Sequence, residues 1–110
     1  MTQPIKNPKT NVPQTPAMND RDFVNDCLMT EKYLTIAYAT ASHEMSHDAL
    51  HQEVVTLYQE TEECQRNLYN LMFRKGWYSV EAEDQQKLQQ AYQKFSQYAA
   101  AQFPHGGNIQ

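Results

Sequence analysis

Glycine is scarce in this sequence: there are three, and two of them stand together at Gly106-Gly107. A barrel, a sandwich or a glycine-rich nucleotide fold needs more of them at its tight turns, so those classes are excluded. There are two cysteines, Cys27 and Cys64, too few for a disulfide scaffold. No apolar run approaches the roughly 20 residues that cross a bilayer, which excludes a membrane-spanning role. The stretch MTQPIKNPKTNVPQTP has no hydrophobic centre, so no cleaved export signal is expected and the compartment of synthesis is expected to be reducing. A phosphate-binding loop, a CxxC pair and a nucleophile elbow are all missing, which points away from an enzyme.

Basic residues are few and unevenly placed. Residues 1–18 carry Lys6 and Lys9 and no acid, whereas the rest of the chain carries seven Lys or Arg against thirteen Asp or Glu. Nucleic acids and anionic membranes select for clustered Lys and Arg, so neither is expected as a partner of this acidic body.

Four of the five prolines lie at Pro4, Pro8, Pro13 and Pro16, among Lys, Asn, Gln and Thr. Such a composition buries too little apolar surface to offset the entropy of ordering it. Residues 1–17 are therefore expected to be a flexible Pro-rich tail, either inert or docking on a partner, whose deletion leaves folding intact. From Ala17 to Lys75 there is neither Pro nor Gly, which favours helix. Asn19 is placed to cap the first helix, with Asp20 and Asp22 in its first turn and Met18 and Phe23 at staple positions.

Two stripes with alternating spacings of four and three follow. One is Cys27, Glu31, Leu34, Tyr38, Ala41, Met45; the other is Leu50, Val54, Leu57, Thr61, Cys64, Leu68, Leu71. They are out of phase, which predicts a turn within residues 42–48 and makes Ser46 a possible cap for the second helix. Folding the chain there pairs residues whose numbers add to about 91 on helices roughly 40 Å long. Leu34 then meets Leu57, Ala41 meets Leu50, Phe23 meets Leu68, Glu31 meets Glu60, and Cys27 meets Cys64. Arg74, Lys75 and Gly76 close the second helix, with Trp77 packing back on Leu71 or Met72. Ser79 is a possible cap for a third helix that presents Leu88, Ala91, Tyr92, Phe95, Tyr98 or Ala99, and Phe103.

These readings give an all-α fold: an antiparallel bundle of three long helices over residues 18–104, with a flexible C-terminus at 105–110. The expected core is Leu34, Tyr38, Val54, Leu57, Leu68, Leu71, Trp77, Leu88, Tyr92 and Phe95. The third layer is shorter than the other two, so either a second copy covers some apolar surface or the three-helix bundle closes on itself.

Chemical candidates are sparse. Glu44-x-x-His47 has the spacing of di-metal carboxylate bundles, but a site needs two such motifs with two further glutamates, and this one falls in the turn. Glu44 and His47 are thus the metal-ligand candidates of an incomplete set, and no metal or other cofactor is expected. His43, His47 and His51 would share a face only on an unbroken helix. Glu31 facing Glu60 is either a proton-sharing pair or a glutamate neutralised by Lys32 or Arg66. Cys27 and Cys64 are small core residues or, in an oxidising setting, a disulfide. No histidine lies near enough to make either a nucleophile, so no catalytic residue is assigned. Thirteen glutamines and seven tyrosines read as solvated helix and core, or as a surface suited to cross-linking.

The ordered series Met18-Asn19-Asp20-Arg21-Asp22, Glu31-Lys32-Tyr33-Leu34-Thr35, Ser46-His47-Asp48, Cys64-Gln65-Arg66, Leu68-Tyr69-Asn70-Leu71-Met72 and Gly76-Trp77-Tyr78 resembles the coat F family of spore-forming Bacillus-type bacteria. Glu81-Ala82-Glu83 and Gln85-Gln86-Lys87-Leu88 continue the likeness, which covers about residues 18–103. The resemblance implies a small ferritin-like helical domain made during sporulation and packed into the spore coat. Its implied partners are other spore coat proteins and further copies of itself, and it supplies no catalytic residues. The reading from a different class is a ferritin-like metal-binding or redox protein; a small adaptor that recruits a partner through its tail is a third.

Overall fold

The structure, a computed structural model, describes residues 3–103; the C-terminal stretch expected at 105–110 lies outside the described residues. Its elements are β1 (Pro4–Ile5), α1 (Asp20–Glu44), α2 (Asp48–Arg74), β2 (Val80–Glu81) and α3 (Gln85–Ala101). They divide into two units, Lys6–Ser79 and Met1–Ile5 with Val80–Gln110.

In the first unit, α1 starts where the sequence places it. The Asn19 side chain accepts a hydrogen bond from the Asp22 amide at 3.0 Å, and the Asp22 carboxylate accepts one from the Asn19 amide at 3.2 Å. Two of the otherwise unpaired N-terminal amides are satisfied reciprocally. Met45, Ser46 and His47 make the reversal, inside the expected window. The cap of α2 is His47 rather than Ser46, with extended backbone and no side-chain bond. Asp48 in the first turn supplies the favourable charge at this helix end instead.

The far end of α2 is closed by a Schellman motif. The Trp77 amide donates to the Met72 carbonyl at 2.9 Å and the Gly76 amide to the Phe73 carbonyl at 3.1 Å. Gly76 takes the left-handed conformation, φ +74, that this closure requires.

α1 and α2 pack antiparallel as a hairpin. Its interface runs along Val24, Leu28, Glu31, Thr35, Tyr38 and Ser42 on α1, and along Val54, Tyr58, Thr61, Gln65, Leu68 and Met72 on α2, all at least half-buried. Leu28 (0% exposed), Met72 and Thr35 are the buried side chains among the described residues. The Thr35 hydroxyl donates to the Lys32 carbonyl at 2.8 Å, so this interior polar group is satisfied. Of the expected core, Leu34, Tyr38, Val54, Leu68, Leu71 and Trp77 are half-buried, and Leu57, Leu88, Tyr92 and Phe95 are exposed.

The N-terminal segment, expected as a flexible tail, is bonded to the end of α2 at Asn7 and Thr10. Asn7 Nδ2 donates to the Phe73 carbonyl at 2.9 Å, the Thr10 amide to the Lys75 carbonyl at 2.8 Å, and Trp77 Nε1 to the Thr10 carbonyl at 2.9 Å. The last carbonyls of a helix have no partner within it, and this segment provides donors for them. Its prolines do not interfere, because the donors come from Asn7 and Thr10.

In the second unit, Pro4 lies opposite Glu81 and Ile5 opposite Val80 in a short antiparallel ladder. That ladder keeps residues 80–81 extended, so Ser79 does not cap the third helix. Asp84 does, its side chain accepting from the Gln86 amide at 2.8 Å. α3 buries none of its residues. The fold is all-α in its main elements, as expected: the first unit holds the two long helices as a hairpin, and the second holds the 17-residue α3.

Candidate functional site

Of the apolar stripes read from the sequence, Glu31, Tyr38, Val54, Thr61 and Leu68 lie on the hairpin interface, and the remaining members lie beside it. Cys27, Leu34 and Ala41 each precede an interface residue of α1 by one position (Leu28, Thr35, Ser42). Leu57, Cys64 and Leu71 precede Tyr58, Gln65 and Met72 of α2 in the same way. One position is a rotation of about 100° on a helix. Because the helices are antiparallel, the same backward step turns both stripes toward one side of the hairpin. That side is an open flank, with the apolar Phe23 55%, Leu50 56% and Leu57 40% exposed and the exposed Glu53 and Glu60 beside them, one position before Val54 and Thr61.

Cys27 and Cys64 lie on this flank, both exposed and both as free thiols. The sequence register pairs them, and Cys64 lies within electrostatic reach of Glu31 and Cys27. Partial desolvation, then the Glu31 carboxylate through its charge and a hydrogen bond, and last Cys27 push the Cys64 thiol above its ordinary value of 9.0. Glu31 Oε2 is buried and has no hydrogen-bond partner among the described residues. Neither base proposed to neutralise it is paired with it. Lys32 Nζ lies 5.4 Å from the centre of the Tyr78 ring, and the Arg66 guanidinium 5.2 Å from that of Tyr69. Those two rings meet edge to face at 4.9 Å, so bases and tyrosines form a cluster of their own. Glu60 is exposed.

The hairpin corner separates the metal-ligand candidates. Glu44 is the last residue of α1, and His47 is the cap before α2. The helical turn that would put them on one face is broken between them. His43 belongs to α1 and His51 to α2, and His51 Nδ1 lies 3.1 Å from the Ser42 carbonyl, which ties the two helices at the turn.

At the opposite end of the hairpin, Thr10, Val12, Phe23, Val24, Leu71 and Trp77 help line an open, mostly apolar hollow of about 280 Å³. Sequence reasoning missed this feature because it needs the N-terminal segment in place. The signal available was Gly76-Trp77: an indole N–H just past a helix end needs an acceptor, and the neighbouring chain supplies one. None of the helices in the described residues is long and apolar enough to cross a membrane.

No solved structure matches the chain. Over 103 residues, 94% of each chain, the sequence is 59% identical to a Bacillus subtilis (strain 168) protein named "Uncharacterized protein YusN". Residues 19–81 match the family described as Coat F domain. That match begins at the Asn19 cap and ends with β2, so it takes in the hairpin, the Gly76-Trp77 closure and the Cys27–Glu31–Cys64 flank. By this match and by its Bacillus relative, the chain belongs to the Coat F domain family of spore coat proteins.

Proposed function

We propose that this protein is a non-enzymatic structural component of the bacterial spore coat, made in the cytoplasm of the sporulating cell. It acts by associating with its own copies and with other coat proteins. The observation that carries the reading is the Coat F match over the hairpin, whose open flank exposes Phe23, Leu50 and Leu57 in the single chain. An amphipathic module left open on one side is suited to assembly, since burying such a flank is the main favourable contribution to association. A fluorescent fusion followed through sporulation tests the proposal. Signal that appears during sporulation and encircles the spore is the expected result; steady vegetative expression without spore signal would overturn it.

A further inference from the structure

We propose that the open flank of the hairpin is the seat of a second copy of this chain, two hairpins packing about a two-fold axis into a four-helix bundle. The inference rests on the self-association in the proposed function and assigns it a face.

The hairpin unit buries two apolar side chains, Leu28 and Met72, a small core to set against the ordering of two helices of 25 and 27 residues. Another layer has to cover it, and the flank is the place. The stripe through Phe23, Cys27 and Leu34 runs beside that through Leu57, Cys64 and Leu71. On the other side of the hairpin, Lys32 and Arg66 and the two tyrosine rings they cover separate the apolar groups.

Size selects the occupant. A face two helices wide and about 37 Å long spans roughly 700 Å², close to the approximately 800 Å² that each partner contributes to a standard interface. A single helix of 17 residues, about 25 Å long and 10 Å wide, covers only some third of it. A second hairpin has the right length and carries the same two stripes.

Shape agrees with the two-fold. The midpoint of the flank lies between Thr30 and Leu34 on α1 and near Glu60 on α2. The hollow lined by Val12, Phe23, Leu71 and Trp77 is at one end, and the exposed Leu50 is at the turn end, about as far from the midpoint. A two-fold through the midpoint sets the turn end of each copy over the hollow of the other, and puts bulky Phe23 opposite small Ala41. It also brings Glu31 and the exposed Glu60 of the two copies near the axis, which weakens the pair by like-charge repulsion.

The test is sedimentation or light scattering of the full chain from 1 to 100 μM, beside the rate at which Cys27 and Cys64 react with a bulky aromatic disulfide reagent. The expected mass is twice 12.8 kDa at the higher concentrations, with thiol reaction slowed at least tenfold as the dimer forms. L57E and L50E, at exposed positions on the flank, should each give monomers with fast thiols and unchanged helix content. I36E, 68% exposed on the other side of α1, should leave the dimer intact, and E31Q should tighten it severalfold. A wild-type chain that stays monomeric overturns the inference, including one whose thiols are shielded at every concentration because α3 covers them. A dimer broken by I36E but not by L57E, or loosened by E31Q, also overturns it. Spore localisation is read separately: a monomeric chain that still encircles the spore defeats the two-fold and leaves the coat reading standing.

Discussion

Gly76 sits against the backbone of Pro8. A Cβ on Gly76 would fall inside the van der Waals surface of the Pro8 carbonyl and 2.7 Å from the Asn7 carbonyl oxygen. The residue that ends α2 in the left-handed conformation is thus also the one over which the N-terminal segment passes. G76A should carry both penalties, roughly 1–2 kcal/mol for the backbone conformation and more for the displaced segment. Chemical denaturation followed by helix circular dichroism reads the loss. The variant should also be cut faster by protease in residues 6–17.

The N-terminal segment is structural for the same reason. W77F removes the indole bond to the Thr10 carbonyl and should cost about 1 kcal/mol. Deleting residues 1–17 strips donors from the carbonyls of Phe73 and Lys75 and uncovers the end of the hairpin. Its melting temperature should fall by several degrees in thermal denaturation. An unchanged melting temperature would return the segment to the inert tail that its composition suggests.

Leu28→Ala should be the costliest single truncation in the hairpin, about 2–5 kcal/mol, because Leu28 is fully buried. Leu34→Ala, on the half-exposed stripe, should cost less in stability and act instead on association. Paired denaturation curves at low protein concentration separate the two effects.

This contrast shows what was legible in the sequence. The start of α1 at the Asn19 cap, the reversal near Met45 and the Gly76 closure follow from local chemistry, and each stands where the residues place it; the start of α3 was misplaced, at Ser79 instead of Asp84. The centre of the interface does not follow, because α1 is apolar over more than one line of residues. Leu28 lies beside Cys27, and Thr35 beside Leu34, so the pattern admits both lines. The apolar residues at every second heptad step favoured the one through Leu34. Packing centred on the line through Leu28, Glu31, Thr35 and Tyr38, and left Cys27, Leu34 and Ala41 to one side of it. The attachment of the N-terminal segment was not legible, for a different reason. Composition reports the lack of apolar surface, but the bonds that hold this segment are made by the backbone of Thr10 and one amide side chain. Of the site, the register put Cys27 opposite Cys64 but set Glu31 against Glu60, whereas Glu31 acts on Cys64; the hollow beside Trp77 was not legible.

Cys64 should react slowly with iodoacetamide at neutral pH. The thiolate is the nucleophile, and the Glu31 carboxylate disfavours it, so the pH at half-maximal rate should lie above 9.0. The sign for stability follows from the same shift: a thiol whose ionisation is raised on folding favours the folded state while it stays protonated, and that contribution is lost as pH climbs past the raised value. E31Q removes the charge and should lower the midpoint, so at pH 8 the variant's Cys64 reacts faster than the wild type's. Mass spectrometry of the alkylated peptide keeps Cys64 separate from Cys27. An identical pH profile in the two proteins would mean that Glu31 does not act on this thiol.

We expect mild oxidation to join Cys27 and Cys64 within one chain. Hydrogen peroxide takes one thiol to a sulfenic acid and releases water; the second thiol displaces hydroxide from that sulfur, forming the S–S bond and a second water. The two residues come from facing helices in matching register, and both thiols are exposed. The bond would close a loop of about 37 residues, for which the chain-entropy relation gives about 4 kcal/mol of stabilisation. Oxidised protein should migrate as a compact monomer without reductant and melt well above the reduced form, and C27S should abolish both effects. If peroxide yields only chains linked to one another, the two thiols are not opposed within one hairpin, and the helix register would have to shift.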